Sequence, residues 1–121
     1  MREYPQSRTI RFDAYSVIAA WVSLCLAVIL LVLVLAGLPL LPLLLAAGTL
    51  FLLSAASHLL LAFAHKCPEC LKHPTIQGFA PVHPQAPPSA DGWAGVILKV
   101  VRHQQFVCIH CGAAYSVSRA A

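Results

Sequence analysis

The sequence predicts a membrane α-helical hairpin of two transmembrane helices, followed by a small cytoplasmic domain that is built around cysteines and contains a β-hairpin. Two observations carry this. From Ala14 to His65 the chain runs 52 residues without an Asp, Glu, Lys or Arg. Directly after it come paired cysteines, Cys67 and Cys70, with a second pair at Cys108 and Cys111.

Each element follows in chain order. Residues 1–13 form a short polar segment carrying Arg2, Arg8 and Arg11. A bilayer core of about 30 Å takes about 20 apolar residues as a helix, so the charge-free stretch covers two passes and a turn. Gly37, Pro39 and Pro42 lie near its middle and mark that turn, because proline removes a backbone donor and resists helix continuation. The expected hairpin therefore spans 14–65, with helices at 14–36 and 42–65 and the turn at 37–41. Lipid cannot satisfy open backbone polar groups, which leaves helices as the spanning form for such segments. A cleaved signal peptide is the rival for the first segment, but the apolar run exceeds the usual ~7–15 residues and lacks an Ala-x-Ala exit.

Basic residues fix the expected orientation. Arg2, Arg8 and Arg11 precede the first helix, Lys66, Lys72, Lys99, Arg102 and Arg119 follow the second, and the turn has none. Both termini are expected in the cytoplasm, with the chain a multi-pass protein of the inner (cytoplasmic) membrane. Tyr15 and Trp21 suit an interfacial aromatic anchor. Composition agrees, with 60% hydrophobic and 10% charged residues, and the formal charge of +4 reflects the same basic flanks.

The remainder, 66–121, is short for a self-sufficient core, and domains of that size commonly rely on a metal or a disulfide. It holds Cys67-Pro68-Glu69-Cys70 and Cys108-Ile109-His110-Cys111, two equal spacings 37 residues apart. A two-residue spacer lets a tight turn aim two thiolates at one ion, and two such turns complete a tetrahedral sulfur site. Gly112 supplies the permissive backbone that follows such a turn.

On these two knuckles the segment from Lys66 to about Val117 resembles the zinc-ribbon family, whose knuckles read C-P-x-C and C-x-x-C-G. The resemblance implies one structural zinc held by Cys67, Cys70, Cys108 and Cys111. The chain departs from the pattern at Leu71, where a glycine is common, and in the long separation of its knuckles. Iron in a rubredoxin-like site is the alternative for the same residues, and thiol redox or metal-free cysteines a third. A cytoplasmic setting disfavours stable disulfides.

Between the knuckles, 73–92 carries Pro74, Pro81, Pro84, Pro87 and Pro88 and reads as an extended insert, with Ile76, Phe79 and Val82 as its docking side chains. Trp93, Val96, Ile97, Val100 and Val101 then recur at helical spacing opposite Gly92, Gly95, Lys99, Arg102 and His103. This predicts a short amphipathic helix, with a strand over Val96 to Val101 as the alternative. Its basic stripe fits a helix lying on anionic headgroups through Lys99 and Arg102. Phe106 to Val117 reads as strand, knuckle, strand.

Within the hairpin, Ser16, Ala20, Ser23 and Ala27 share one face of the first helix, and Gly48, Ala55 and Ala62 one of the second, stripes that permit close packing. His58 and His65 lie seven apart on one face. His58, with Ser54 four residues before it, is the candidate cofactor ligand for a haem or pigment, against a plain hydrogen bond across the hairpin. His65 reads as an interfacial residue beside Lys66. Cys25 reads as a packing residue, and His73, His83, His103 and His110 as solvent-facing.

No catalytic set emerges. Glu3, Asp13, Glu69 and Asp91 are the only carboxylates, and no glycine loop for phosphate is present. The chain is expected not to be an enzyme. The reading is a small integral membrane protein with a structural zinc site, acting as a non-catalytic interaction module or accessory subunit of a larger membrane complex. Its expected partners are the bilayer and a membrane protein, with nucleic acid and small-molecule substrates disfavoured. A tethered electron carrier with iron, or an accessory pigment or haem subunit using His58, are the alternatives.

Overall fold

A computed structural model of the chain describes residues 2–77, 83–84 and 92–117. The element order is β1 (Arg2–Glu3), α1 (Ser7–Leu35), α2 (Leu41–Ala64), α3 (Gly92–His103), β2 (Gln105–Val107) and β3 (Ala114–Ser116).

α1 and α2 form the expected antiparallel hairpin, and both are long and apolar enough to cross a membrane by length and composition. Their junction falls where glycine and proline direct it. Gly37 takes φ +96°, its N–H donates to Val34 O, and the N–H of Leu38 donates to Leu33 O, a closure that favours a residue without a Cβ. Pro42 sits in the first turn of α2, where its missing N–H costs nothing.

α1 departs from expectation at its start. It begins at Ser7, seven residues before the charge-free stretch, so Arg8, Arg11 and Asp13 ride on the helix instead of preceding it. The charge-free window marks the apolar part of a helix and not its ends, because Arg and Asp are compatible with helical backbone. At about 1.5 Å per residue the 29-residue helix is about 44 Å long, and its first turns extend beyond the apolar zone into the head of the molecule.

The helices meet through small side chains. Ala14, Val17, Ala20, Ser23 and Leu30 of α1 are buried, as are Ala47, Ser54 and Ala62 of α2. Ala20, Ser23 and Ala62 are shared with the expected stripes, while on α2 the buried line runs through Ala47 and Ser54, with Gly48 and Ala55 half-buried beside it. Ser23 Oγ returns its proton to Ala19 O at 2.6 Å, so the hydroxyl is satisfied within its own helix. The outer faces carry uncovered aliphatic side chains, with Leu35 79% and Leu60 75% exposed. Cys25 lies on that outer face too, exposed, and is not the packing residue expected from its apolar neighbours.

The head is a three-stranded sheet, order β1-β3-β2, with α3 packed on it. β2 and β3 are antiparallel with Phe106 opposite Tyr115, as expected for strands flanking a knuckle. The unexpected member is β1. It pairs parallel with β3, Arg2 opposite Tyr115, and the Tyr4 N–H extends the ladder to Ser116 O at 2.8 Å. The N-terminal segment is therefore part of the head. Tyr4 meets Phe106 and Tyr115 edge-to-face while those two are tilted at 31°, and the three centroids lie 5.1 to 5.6 Å apart. Around it Ile10 and Val17 of α1 meet Val96, Ile97 and Val100 of α3, so one apolar cluster joins helix hairpin and sheet.

α3 is helical, which removes the strand alternative. Its apolar face is covered by the sheet and by α1, and Gly92 and Gly95 are buried with it instead of sharing the exposed basic stripe. A helix whose apolar face is already covered has none left to lay into headgroups. Of the insert, Phe79, Val82 and the prolines other than Pro74 and Pro84 lie outside the described residues. Pro74 is buried and Ile76 half-buried.

Candidate metal centre and the polar cluster at its base

The two knuckles are built alike. In the first, the Leu71 N–H donates to Cys67 O and the Cys67 N–H to Lys72 O, both at 2.9 Å. In the second, the Gly112 N–H donates to Cys108 O at 2.9 Å and the Cys108 N–H to Ala113 O at 2.8 Å. Each turn closes with a left-handed residue directly after its second cysteine, Gly112 at φ +78° and Leu71 at φ +60°. Leu71 thus occupies the conformation that glycine commonly supplies, and its side chain is 71% exposed. The departure from the ribbon pattern changes the residue and keeps the turn.

These turns bring the four sulfurs together, all within 4.8 Å of one another. Cys67 Sγ lies 3.6 Å from Cys111 Sγ, and Cys70 Sγ 3.8 Å from Cys108 Sγ. A tetrahedral shell with metal–sulfur bonds of about 2.3 Å has sulfur–sulfur edges of about 3.8 Å, whereas a disulfide needs about 2.05 Å. The separations fit four ligands around one ion and fit no disulfide, and all four cysteines are free thiols.

Electrostatics point the same way. Burial pushes the thiols of Cys108 and Cys111 up from their ordinary range. Burial acts on Cys67 as well, but hydrogen bonds from the Cys70 amide, the Tyr115 hydroxyl and neighbouring thiols outweigh it and bring that thiol down. Tyr115 Oη is 3.6 Å from Cys67 Sγ, and burial raises its phenol, so it stays a donor. Thiols packed this closely repel one another when ionised, and a metal ion at their centre would let them ionise together.

Below the cysteines the second polar cluster joins the hairpin to the head. Asp13 of α1 is fully buried. One carboxylate oxygen lies 2.5 Å from His58 Nδ1, and the other lies 2.9 Å from His65 Nε2 and accepts the Thr75 hydroxyl at 2.7 Å. The Tyr4 hydroxyl donates to Lys66 O at 2.8 Å and presents its oxygen to His65 Nδ1 at 3.4 Å. Gln6 splints the same joint, its side-chain amide donating to Ala64 O and accepting from the Lys66 N–H. His65, two residues before Cys67, ties this cluster to the first knuckle. Among the described residues, no buried side-chain nitrogen or oxygen lacks a partner.

The structure therefore brings Cys67, Cys70, Cys108 and Cys111 together as expected and gives His58 the role of a cross-hairpin partner. His58 spends Nδ1 on Asp13 and stacks on Trp93, centroids 5.5 Å apart at 21°. His65 is fully buried instead of interfacial. His73 and His110 are not solvent-facing. His73 Nδ1 lies 2.9 Å from His65 O, and His110 Nε2 lies 2.9 Å from Ile76 O and 3.1 Å from His73 O. His110 points away from the sulfurs and pins the segment after the first knuckle to the second. His83, half-buried, gives its backbone N–H to Ile109 O, and His103 is exposed.

Asp13, Thr75 and Tyr4 went unassigned in the sequence. The available signal was a carboxylate abutting the charge-free stretch, facing a helix with two imidazoles seven residues apart. Compared with known proteins, the chain matches no family model, no curated protein and no solved structure.

Proposed function

We propose that the chain is an integral membrane protein that anchors a structural zinc site at the cytoplasmic face, and that it serves as a non-catalytic interaction module or accessory subunit of a larger membrane complex. The observation that carries the metal reading is the set of four sulfurs, placed by two matching turns at the edges of a tetrahedral shell. The thiolate set suits zinc, and four protein ligands leave no open position for a substrate or water, so the ion is a folding staple and the protein is not an enzyme.

What supports the membrane reading is the uncovered aliphatic surface of α1 and α2, which water would disfavour and lipid accepts. The basic residues at one end of the hairpin support a cytoplasmic head with both termini on that side. The uncovered apolar faces of α1 and α2 offer a surface on which a second membrane protein can pack, which supports a membrane-protein partner.

Elemental analysis and an absorption spectrum of the detergent-purified chain test the metal, with a Cys67→Ser/Cys108→Ser variant beside it. One colourless zinc per chain, lost in the variant, is expected. Iron with visible thiolate bands would replace this reading with that of a tethered electron carrier. Recovery of the chain in carbonate-washed membranes tests the anchor, and a native-gel band holding it in fixed ratio with a second membrane protein tests the accessory role.

A further inference from the structure

The geometry points to a binding site for a lipid-soluble phenolic ring, of the quinol head-group class, at the open edge of His58. The Asp13 carboxylate only accepts, so each imidazole turns an N–H toward it, His65 from Nε2 and His58 from Nδ1. The His58 ring proton therefore sits on Nδ1 and is given to Asp13 Oδ1. Nε2 of His58 keeps a lone pair, and a carboxylate on the far nitrogen makes that lone pair a stronger acceptor.

Nε2 makes no hydrogen bond among the described residues, and the His58 side chain retains 18% exposure. Because no buried side-chain polar atom among the described residues lacks a partner, Nε2 opens outward. It opens onto a groove of about 410 Å3 lined by His58 and Phe63 of α2, Thr75, Ile76 and Gln77 of the segment after the first knuckle, and Trp93 of α3. That volume suits one substituted ring. Trp93 and Phe63 supply aromatic walls, and the stack on Trp93 fixes the imidazole plane. The ligand's O–H donates to Nε2 while its ring packs against the indole. A purely apolar lipid tail would leave Nε2 without a partner, which is why the site asks for a hydroxyl. Entry from the lipid rests on the membrane reading above, whereas binding in detergent does not.

The test uses the full-length chain in detergent with Trp21→Phe, which leaves Trp93 as the only indole, and decylubiquinol as the probe. Saturable quenching of Trp93 is expected. His58→Ala should weaken it about tenfold, and Ile76→Phe, which narrows the groove without touching Asp13 or adding an indole, should weaken it at least as much. Oxidised decylubiquinone lacks the O–H donor and should bind at least several-fold more weakly in calorimetry. Metal content equal to that of the parent chain certifies that each variant is folded. Non-saturating partition that is the same in all variants, or equal affinity for the oxidised and reduced probes, would overturn the proposal.

Discussion

The molecule holds two polar clusters assembled from distant parts of the chain, the four cysteines and the group around Asp13, and they are built on opposite principles. The cysteines arrive in pairs, each pair made by six consecutive residues with the same two backbone hydrogen bonds. Only one long-range event, the meeting of two finished turns, is needed. Asp13, His58, His65 and Thr75 come from α1, α2 and two stretches flanking the first knuckle, and no two of them are organised by a local turn. Their positions depend on the hairpin register and on the packing of the head against α1. The first cluster asks for a cation, because four sulfurs that share one centre repel when ionised. The second is already satisfied by its own hydrogen bonds, two imidazoles and a hydroxyl converging on one carboxylate. One is a site for an ion, and the other is a joint.

Metal removal should give the largest effect and break the comparison most directly. Chelation, or Cys67→Ser with Cys108→Ser, should unfold the head while α1 and α2 remain helical, since structural zinc contributes on the order of 10 kcal/mol in small metal domains. Far-ultraviolet circular dichroism and protease digestion read this out, with head fragments lost and a hairpin core retained. Thiolates release protons on binding metal, so loading should fall as pH falls. A head that resists protease without metal would mean that the Asp13 joint suffices to hold it.

Asp13→Leu comes next. It leaves two imidazoles and the Thr75 hydroxyl without their shared acceptor, and removing one partner of a buried ionic cluster costs about 3–5 kcal/mol. Unfolding in denaturant, followed by tryptophan fluorescence, should show that loss while metal content stays at one ion per chain. Simultaneous loss of metal would show that the two clusters fold as one unit.

The knuckles offer a finer comparison. Gly112→Ala forces a Cβ into φ +78° and should destabilise the head by about 1–2 kcal/mol. Leu71→Gly relieves the same conformation at φ +60° and should stabilise it by about 0.5–1 kcal/mol, since the freer unfolded glycine offsets part of the gain. Metal-release rates in a competing chelator measure both, with opposite signs expected. The smallest effect belongs to the ion pair of Arg2 and Glu69, which ties β1 to the first knuckle at the surface. Glu69→Gln should change stability by less than about 0.5 kcal/mol, because exposed pairs are screened by water.

Most of the architecture was legible because its signals are local. An uncharged stretch of 52 residues, a glycine between prolines, and two C-x-x-C pairs each declare themselves within a short window. The amphipathic pattern of 93–101 gave α3. What stayed hidden was long-range. Nothing within residues 1–6 shows that Arg2 and Glu3 will pair with β3, because a two-residue strand has no periodicity to read. The true start of α1 was obscured by equating charge with the helix end. His73 and His110 looked like surface residues until the carbonyls of His65, at the end of α2, and of His73 were placed beside them.

By itself the sequence determined the two long apolar helices, their turn, the knuckles, and the identity of the four sulfur donors, since helix continuity and tight turns are decided by neighbours in the chain. Only the tertiary structure decided that Asp13 is buried, that two imidazoles converge on it, and that the N-terminus closes the sheet. Burial and polar pairing are properties of surfaces brought together across the fold. A carboxylate next to an apolar run reads the same in sequence whether it ends in water or, as Asp13 does, between two histidines.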